Sequence, residues 1–186
     1  MARRFILAVL AILATACAGC QPGPLDDAIS RNDEQILHVM LALACKLETR
    51  EVVSDRPAIP RGRGTEDPDP RNLQFGLDLA ARPAHRARWP HGTVCKTVRV
   101  VPDSAIASAF AHETVKPPQW IAFGKAFDGA QHLVRVSLPV YSPDGRRAVV
   151  YTVGTCPFRC GAGFYHELRK SLTGWKIVRS EVAWET

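Results

Sequence analysis

The 186-residue chain carries no Gly-x-Ser-x-Gly elbow, no His-Glu-x-x-His pair and no glycine loop that would cradle a phosphate. Their absence removes the common signatures of serine hydrolases, zinc peptidases and nucleotide enzymes. Long apolar runs are scarce too. Beyond Ala16 nothing approaches the ~20 successive apolar residues that a spanning helix needs. Charge of one sign is also in short supply. The net charge is +6, and taking away Arg3 and Arg4 with the leader described below leaves +4. The densest basic run, Arg82 to Arg88, has no aromatic ring beyond Trp89 on which bases would stack, and nucleic acid is not an expected partner. That run reads as solvated surface, with anionic head groups or an acidic polymer as the alternative contact.

What is present is concentrated at the start. Met1 to Cys20 combines Arg3 and Arg4, an apolar run from Phe5 to Ala16 and the small residues Ala18-Gly19 before Cys20. The arginines hold the start on the cytoplasmic side while the apolar run enters the export machinery. Gln21-Pro22-Gly23-Pro24 cannot continue a helix, so the segment is expected to be cut away rather than retained. Gly19-Cys20 fits the acceptor site of a bacterial lipoprotein, with Cys20 as the lipidated residue. Cys17 is the rival acceptor, and Ala14-Thr15-Ala16 also reads as a cleavage site that releases a soluble protein. The expected organisation is a signal peptide over 1–19, a tether over 20–29 and one domain over 30–186. After cleavage about 166 residues remain, enough for one real core, and 46 % apolar content suits a globular chain. Gln21 after Cys20 lacks the aspartate associated with inner-membrane retention, which tilts the expectation toward the outer membrane.

Cysteine parity agrees with export. With the leader gone and Cys20 acylated, Cys45, Cys95, Cys156 and Cys160 remain, an even number in an oxidising compartment. Three pairings exist for four thiols, and Cys156 with Cys160 in one short loop leaves Cys45 for Cys95. The competing reading of Cys45, flanked by Leu43, Ala44 and Leu47, is a buried free thiol.

Along the chain, Ile36, Leu37, Met40, Leu41, Ala44 and Leu47 recur at helical steps, with Ser30 or Asp33 as the cap. Thr49 to Ser54 suits a strand. Arg56 to Arg71, with four prolines and two glycines, is expected to be a mobile loop. Asn72 to Arg82 suits a helix and a strand equally. Thr93 to Val101 alternates as one strand presenting Cys95 on the face opposite its valines. Asp103 is expected to cap a helix over Ser104 to Ala111, and Pro117-Pro118 to start another bearing Trp120, Ile121, Phe123 and Phe127. Two hairpins follow: Leu133–Tyr141 with Arg147–Thr155 around Ser142-Pro143-Asp144-Gly145, and Gly163–Lys170 with Trp175–Trp184 around Ser171-Leu172-Thr173-Gly174. The fold class expected is α+β, an N-terminal helix packed on a C-terminal antiparallel meander of four to five strands.

Candidate chemistry is thin. Cys156 and Cys160 are separated by three residues between strands, whereas thiol oxidoreductases use two at a helix start, so a structural disulfide is the reading. Cys156, Cys160 and His166 lack a fourth metal ligand. His166 and Glu167, adjacent on a strand, point to opposite faces. No catalytic residue, metal or cofactor is assigned. His112, His166 and Glu167 are the titratable groups to test first if an enzyme site exists between sheet and covering helix, and Tyr151 and Tyr165 are further pocket candidates.

Trp120-x2-Phe123, Ser142-Pro143-Asp144-Gly145-x2-Ala148-Val149-Val150-Tyr151, Cys160-Gly161-x-Gly163, Gly174-Trp175-Lys176-Ile177-Val178 and the final Trp184 together resemble a group of uncharacterised bacterial exported proteins and lipoproteins that end this way. The resemblance covers 117–186 and implies export and a C-terminal sheet, with no catalytic role carried to any residue. The functional expectation is an envelope lipoprotein that acts as a binding or structural domain, held to the membrane through its lipid and contacting an envelope protein or an acidic polymer.

Overall fold

The computed structural model describes residues 24–59, 78, 89, 91–111, 118–158 and 160–186, with backbone alone over 24–30 and at 118. The chain divides into two compact units, Met1–Arg31 and Asn32–Thr186. Of the first, the described part is the backbone of the opening turns of helix α1, Pro24–Ala44. The helix therefore starts earlier than Ser30 or Asp33 and takes in much of the expected tether. Pro24 suits that start because its fixed φ matches a first turn whose N–H has no intrahelical partner. Cys20, Cys17 and the rest of the leader lie outside the described residues, as do residues 60–77 and 79–88.

From Asn32 onward the chain is an α+β unit built on one mixed sheet. Its strands are β1 (Glu51–Ser54), β2 (Gly92–Thr93), β3 (Val98–Val101), β4 (His132–Val136), β5 (Val140–Tyr141), β6 (Arg147–Cys156), β7 (Cys160–Ser171) and β8 (Gly174–Glu185). The order across the sheet is β2-β3-β1-β4-β6-β7-β8, with β5 also paired to β6. The β4-β6-β7-β8 portion is the expected antiparallel meander. Beyond it β1 is inserted between β3 and β4 and runs parallel to both, with Glu51 opposite Val98 on one side and His132 on the other. The eight strands exceed the four to five expected, because two of the expected strands are each broken in two and the strand expected at Thr49 to Ser54 joins the same sheet as β1.

Two expected strands are broken for identifiable reasons. Thr93 to Val101 is a tight hairpin rather than one strand. Val94 N–H donates to Val98 C=O at 2.9 Å and Val98 N–H returns to Cys95 C=O at 3.3 Å, folding the chain where the Cys45–Cys95 disulfide holds it. Leu133 to Tyr141 is interrupted at Ser137-Leu138-Pro139. Pro139 cannot donate to a ladder, and buried Ser137 accepts the Tyr151 N–H on its own Oγ at 2.8 Å.

Alternation along the strands sends side chains to two faces. On one, Ile36, Leu37, Met40 and Leu41 of α1 close over Val53, Val98, Val100, Val136, Ala148, Val150, Leu168 and Trp175. Each of these large side chains gains about 1.5–3 kcal/mol from leaving water. Asp33 is not a cap but a fully buried group inside the helix, its carboxylate accepting the Tyr141 hydroxyl at 2.7 Å. On the other face, α2 (Asp103–Ala111) and α3 (Pro118–Ala126) cover the β3-β1-β4 part. Ile106, Ala109, Phe123, Phe127 and Ala130 pack there on Val52, Val101 and Leu133. Among the described residues that second layer does not extend over β6-β7-β8.

Cys45 pairs with Cys95 and Cys156 with Cys160, their Cα atoms 6.2 and 5.1 Å apart. The first closes a span of 50 residues and the second a span of 4. In the chain-entropy model those loops are worth about 4 and about 2 kcal/mol. These bonds place the folded chain in an oxidising, extracytoplasmic environment. No helix among the described residues is long and apolar enough to cross a membrane.

Candidate functional site

Parallel strands β1 and β3 end side by side, Ser54 opposite Val101, so the residues that follow each are brought to one edge of the sheet. Open α/β sheets place their ligands outside such carboxyl ends. Here Ser54-Asp55-Arg56 meets Pro102-Asp103 at the start of α2. The expected cap is inverted. Asp103 is the first helical residue, and its N–H donates to the Asp55 carboxylate at 2.8 Å, so the acid that satisfies the helix start comes from the end of β1. Asp55 also holds the His91 ring at 3.1 Å.

The Asp103 carboxylate is thereby left to organise a polar cluster. Its Oδ1 accepts from Ser54 Oγ at 2.8 Å and from Arg135 Nη2 at 3.0 Å, and its Oδ2 lies 3.5 Å from Arg56 Nη1. Burial pushes its pKa up, but the hydrogen bonds from Arg135 and Ser54, the Arg135 charge and the contact from Arg56 outweigh that and hold the group below the ordinary carboxylate range. It is a fixed anion between two guanidinium groups, leaving the trio with one net positive charge. The Arg56 side chain is 68 % exposed and that of Arg135 31 %, so donors on both remain turned toward water.

Beside this cluster runs an open groove of about 640 Å³, lined by Arg56, Ile59, Arg135, Tyr151, Thr155 and Trp184 among others. Its aromatic floor follows from two glycines. Trp184 on β8 pairs with Gly163 on β7, and where a Cβ on Gly163 would collide with the indole nitrogen and lie 2.6 Å from the Tyr151 hydroxyl, the bare backbone lets the ring lie across the sheet. A Cβ on Gly161 would likewise press on the six-membered ring at 3.4 Å. The indole N–H donates to Tyr151 Oη at 2.7 Å. Burial raises the Tyr151 pKa, offset in part by that bond, so the phenol keeps its own proton to donate.

The titratable groups singled out in the sequence are not assembled here. His112 and Glu113 lie outside the described residues. His166 is 5 % exposed and lies on the α1 face, away from the groove, its Nε2 2.9 Å from Thr152 Oγ1 and its Nδ1 2.8 Å from Ser180 Oγ. Burial lowers its pKa, so a neutral ring donates to one hydroxyl and accepts from the other. Glu167 is on the opposite face, 3.6 Å from Arg169. The space between α1 and the sheet, where a pocket was expected, is the closed apolar core, and the groove is on the other side. Cys156 and Cys160 are bonded to each other, and among the described residues no cluster of metal-ligating side chains forms. Tyr151 does line the groove, with Tyr165 beside it across the strands at a ring separation of 5.2 Å.

Sequence reading missed Asp103, Arg135 and Arg56 because their meeting depends on parallel pairing between segments about 50 residues apart. The signal that was legible is the combination of Gly161, Gly163 and a terminal Trp184, which announces a ring lying on bare backbone. A second, smaller cleft of about 340 Å³ lies at the opposite end of β1, rimmed by Arg50, Lys96 and Arg99. Glu51 lies in its wall, 6 % exposed, and burial pushes its pKa up to about 7. Compared with known family models, curated proteins and solved structures, the chain finds no match.

Proposed function

We propose that this protein is a lipid-anchored envelope protein, acylated at Cys20 and facing the periplasm from the outer membrane, that binds an acidic polymer through the groove rather than catalysing a reaction. The observation that carries the reading is the pairing of a net-positive Arg56–Asp103–Arg135 cluster with a Trp184–Tyr151 floor along one open groove. A carboxylate of the ligand satisfies the guanidinium donors that Asp103 leaves over, and Asp103 keeps both side chains in place before the ligand arrives. The flat indole takes the apolar face of a sugar ring, and Tyr151 and Thr155 supply hydroxyls at its edge. The chemistry is that of a uronic-acid-bearing saccharide. An open groove suits a chain passing through, where an enzyme needs water excluded around a reacting atom.

Titration with oligogalacturonate, followed by tryptophan emission at low salt, tests this. Saturable quenching is expected, weakened about tenfold by Arg56→Ala and abolished by Trp184→Ala, and reduced by added salt. An equal response to a neutral dextran oligomer, or none to either, would defeat the proposal. Intact mass of the protein from the membrane fraction tests the anchor separately.

A further inference from the structure

The three-residue loop that joins β6 to β7 holds Phe158 in a conformation that folding alone does not reward. Its φ is +62°, in the left-handed region that a bulky side chain rarely occupies. Its ring is 86 % exposed, so no burial offsets the strain. Such a conformation persists where the surroundings impose it. Here the Cys156–Cys160 disulfide, closing the hairpin at the loop's base, does so. A disulfide-tied tip that turns an aromatic ring outward is a presentation device.

The ring is not alone. Across a cleft of about 290 Å³ lined by Trp120, Ile121, Gly124, Pro157 and Phe158, helix α3 offers Ile121, itself 59 % exposed. Lys125, four residues on and therefore on the same helix face, is exposed as well. Trp120 anchors this side from below, edge-on to Phe110 and Phe123 at 5.4 and 5.1 Å. Two apolar side chains standing apart on a rigid support, with a lysine at their margin, fit a deformable apolar phase bounded by anionic groups.

We propose that this tip rests on the bilayer: Phe158 and Ile121 enter the boundary between head groups and acyl chains, and Lys125 meets lipid phosphate. The proposal rests on the lipid-anchor reading. Gln21 to Arg31 alone separate Cys20 from Asn32, so an acylated Cys20 keeps Asn32 within roughly 40 Å of the surface even with that segment fully extended. Asn32 meets Lys170 and Trp175 at the far end of β7 from Phe158, so the tip comes down when the β6–β7 hairpin lies along the bilayer. At that distance a small apolar contact meets a high effective lipid concentration, so even weak insertion is populated.

The test uses the full mature protein in vesicles of phosphatidylethanolamine and phosphatidylglycerol, comparing Phe158→Trp with the parent. Because residue 158 is exposed, the substitution does not challenge folding. The added emission is expected to be quenched by brominated lipid, at least threefold more than the parent's tryptophans, and to be shielded from iodide. Lys125→Glu in the same background reduces that quenching. Emission at 158 that stays open to iodide and indifferent to brominated lipid overturns the proposal, as does shielding that needs added envelope proteins instead of lipid. Intact mass of the same sample separates the two readings. Acylated but unquenched protein removes the resting surface alone, quenched but unacylated protein removes the anchor alone, and protein that is neither removes both.

Discussion

The sheet has two regions that solve the same burial problem differently. Around β1, both faces are covered: Val53 faces α1 and Val52 faces α2 and α3, each at most 1 % exposed. In the β6-β7-β8 meander, among the described residues, a helix covers the α1 face alone, and the opposite face carries Tyr151, itself buried, with Tyr165, Glu167 and Trp184, the first and last of which line the groove. Parallel strands need cover on both sides, whereas an antiparallel meander tolerates one wet face. The doubly covered region therefore supplies rigidity, and the singly covered one supplies surface. The groove runs where they adjoin, its charges coming from the ends of the first region's strands and its rings from the second.

Phe123→Ala strikes the first region hardest. Phe123 is fully buried, stacked on Phe110 at 5.2 Å and packed against Phe127 at 4.9 Å. Loss of about 3–5 kcal/mol is expected by urea denaturation. If the two regions form one cooperative unit, the meander unfolds in the same transition. Emission from Trp175 and Trp184 in the meander, isolated from Trp89 and Trp120 by Trp→Phe changes at those two positions in parent and variant alike, and far-ultraviolet dichroism then give one midpoint. Two separated midpoints would show that the second layer stabilises its own region only.

The same contrast explains what the sequence revealed. The meander is local: its hairpins join neighbours in the chain, and their turns carry their own chemistry, Gly145 N–H donating to Ser142 C=O at 2.8 Å and Gly174 sitting at φ 108°. Such signals are readable from short windows. The β1 insertion is not. Val52 and Val53 are apolar in succession, as a strand buried on both faces requires, yet nothing in four residues states which strands lie on either side. The polar cluster inherits that opacity, since Ser54, Asp103 and Arg135 meet only once β1 has been placed. Cys95 misled for a related reason. The alternation of Val94, Val98 and Val100 matches one strand, and the disulfide partner that bends it lies 50 residues away.

A smaller effect should appear with pH, again in the doubly covered region, where β1 brings Glu51 into the interior. Its pKa rises from 4.5 in the unfolded chain to about 7 in the folded one. The folded state thus binds the proton more tightly. Its cost is absent below pH 4.5, grows as pH climbs, and is complete above about 7, where it reaches roughly 3 kcal/mol. Glu51→Gln keeps the shape and removes the charge. The variant should match the parent at pH 4.5 and exceed it at pH 8, by up to that amount, in denaturant midpoints across the range. Parallel curves for the two proteins would mean that Glu51 is solvated when charged, and that double coverage of β1 stops short of its first residue.

The smallest of these effects lies on the wet face and tests whether the groove is built or incidental. Gly163 and Gly154 both lie on the paired strands β6 and β7, yet a Cβ on Gly163 would strike the Trp184 indole and the Tyr151 hydroxyl, while one on Gly154 would meet nothing within 4 Å. Gly163→Ala must lift the indole and break its 2.7 Å bond to Tyr151, at a cost of about 1–3 kcal/mol. Tryptophan emission should shift to the red, and saccharide quenching should be lost although Arg56, Asp103 and Arg135 are untouched. Gly154→Ala fills open space and restricts the unfolded chain, so it is expected to be neutral or to stabilise by about 0.5 kcal/mol. The pair therefore asks one question with folding held as a control. Should both variants keep the parent's emission and binding, the bare backbone under Trp184 is not what shapes the groove, and the wet face of the meander is merely uncovered rather than fitted to a ligand.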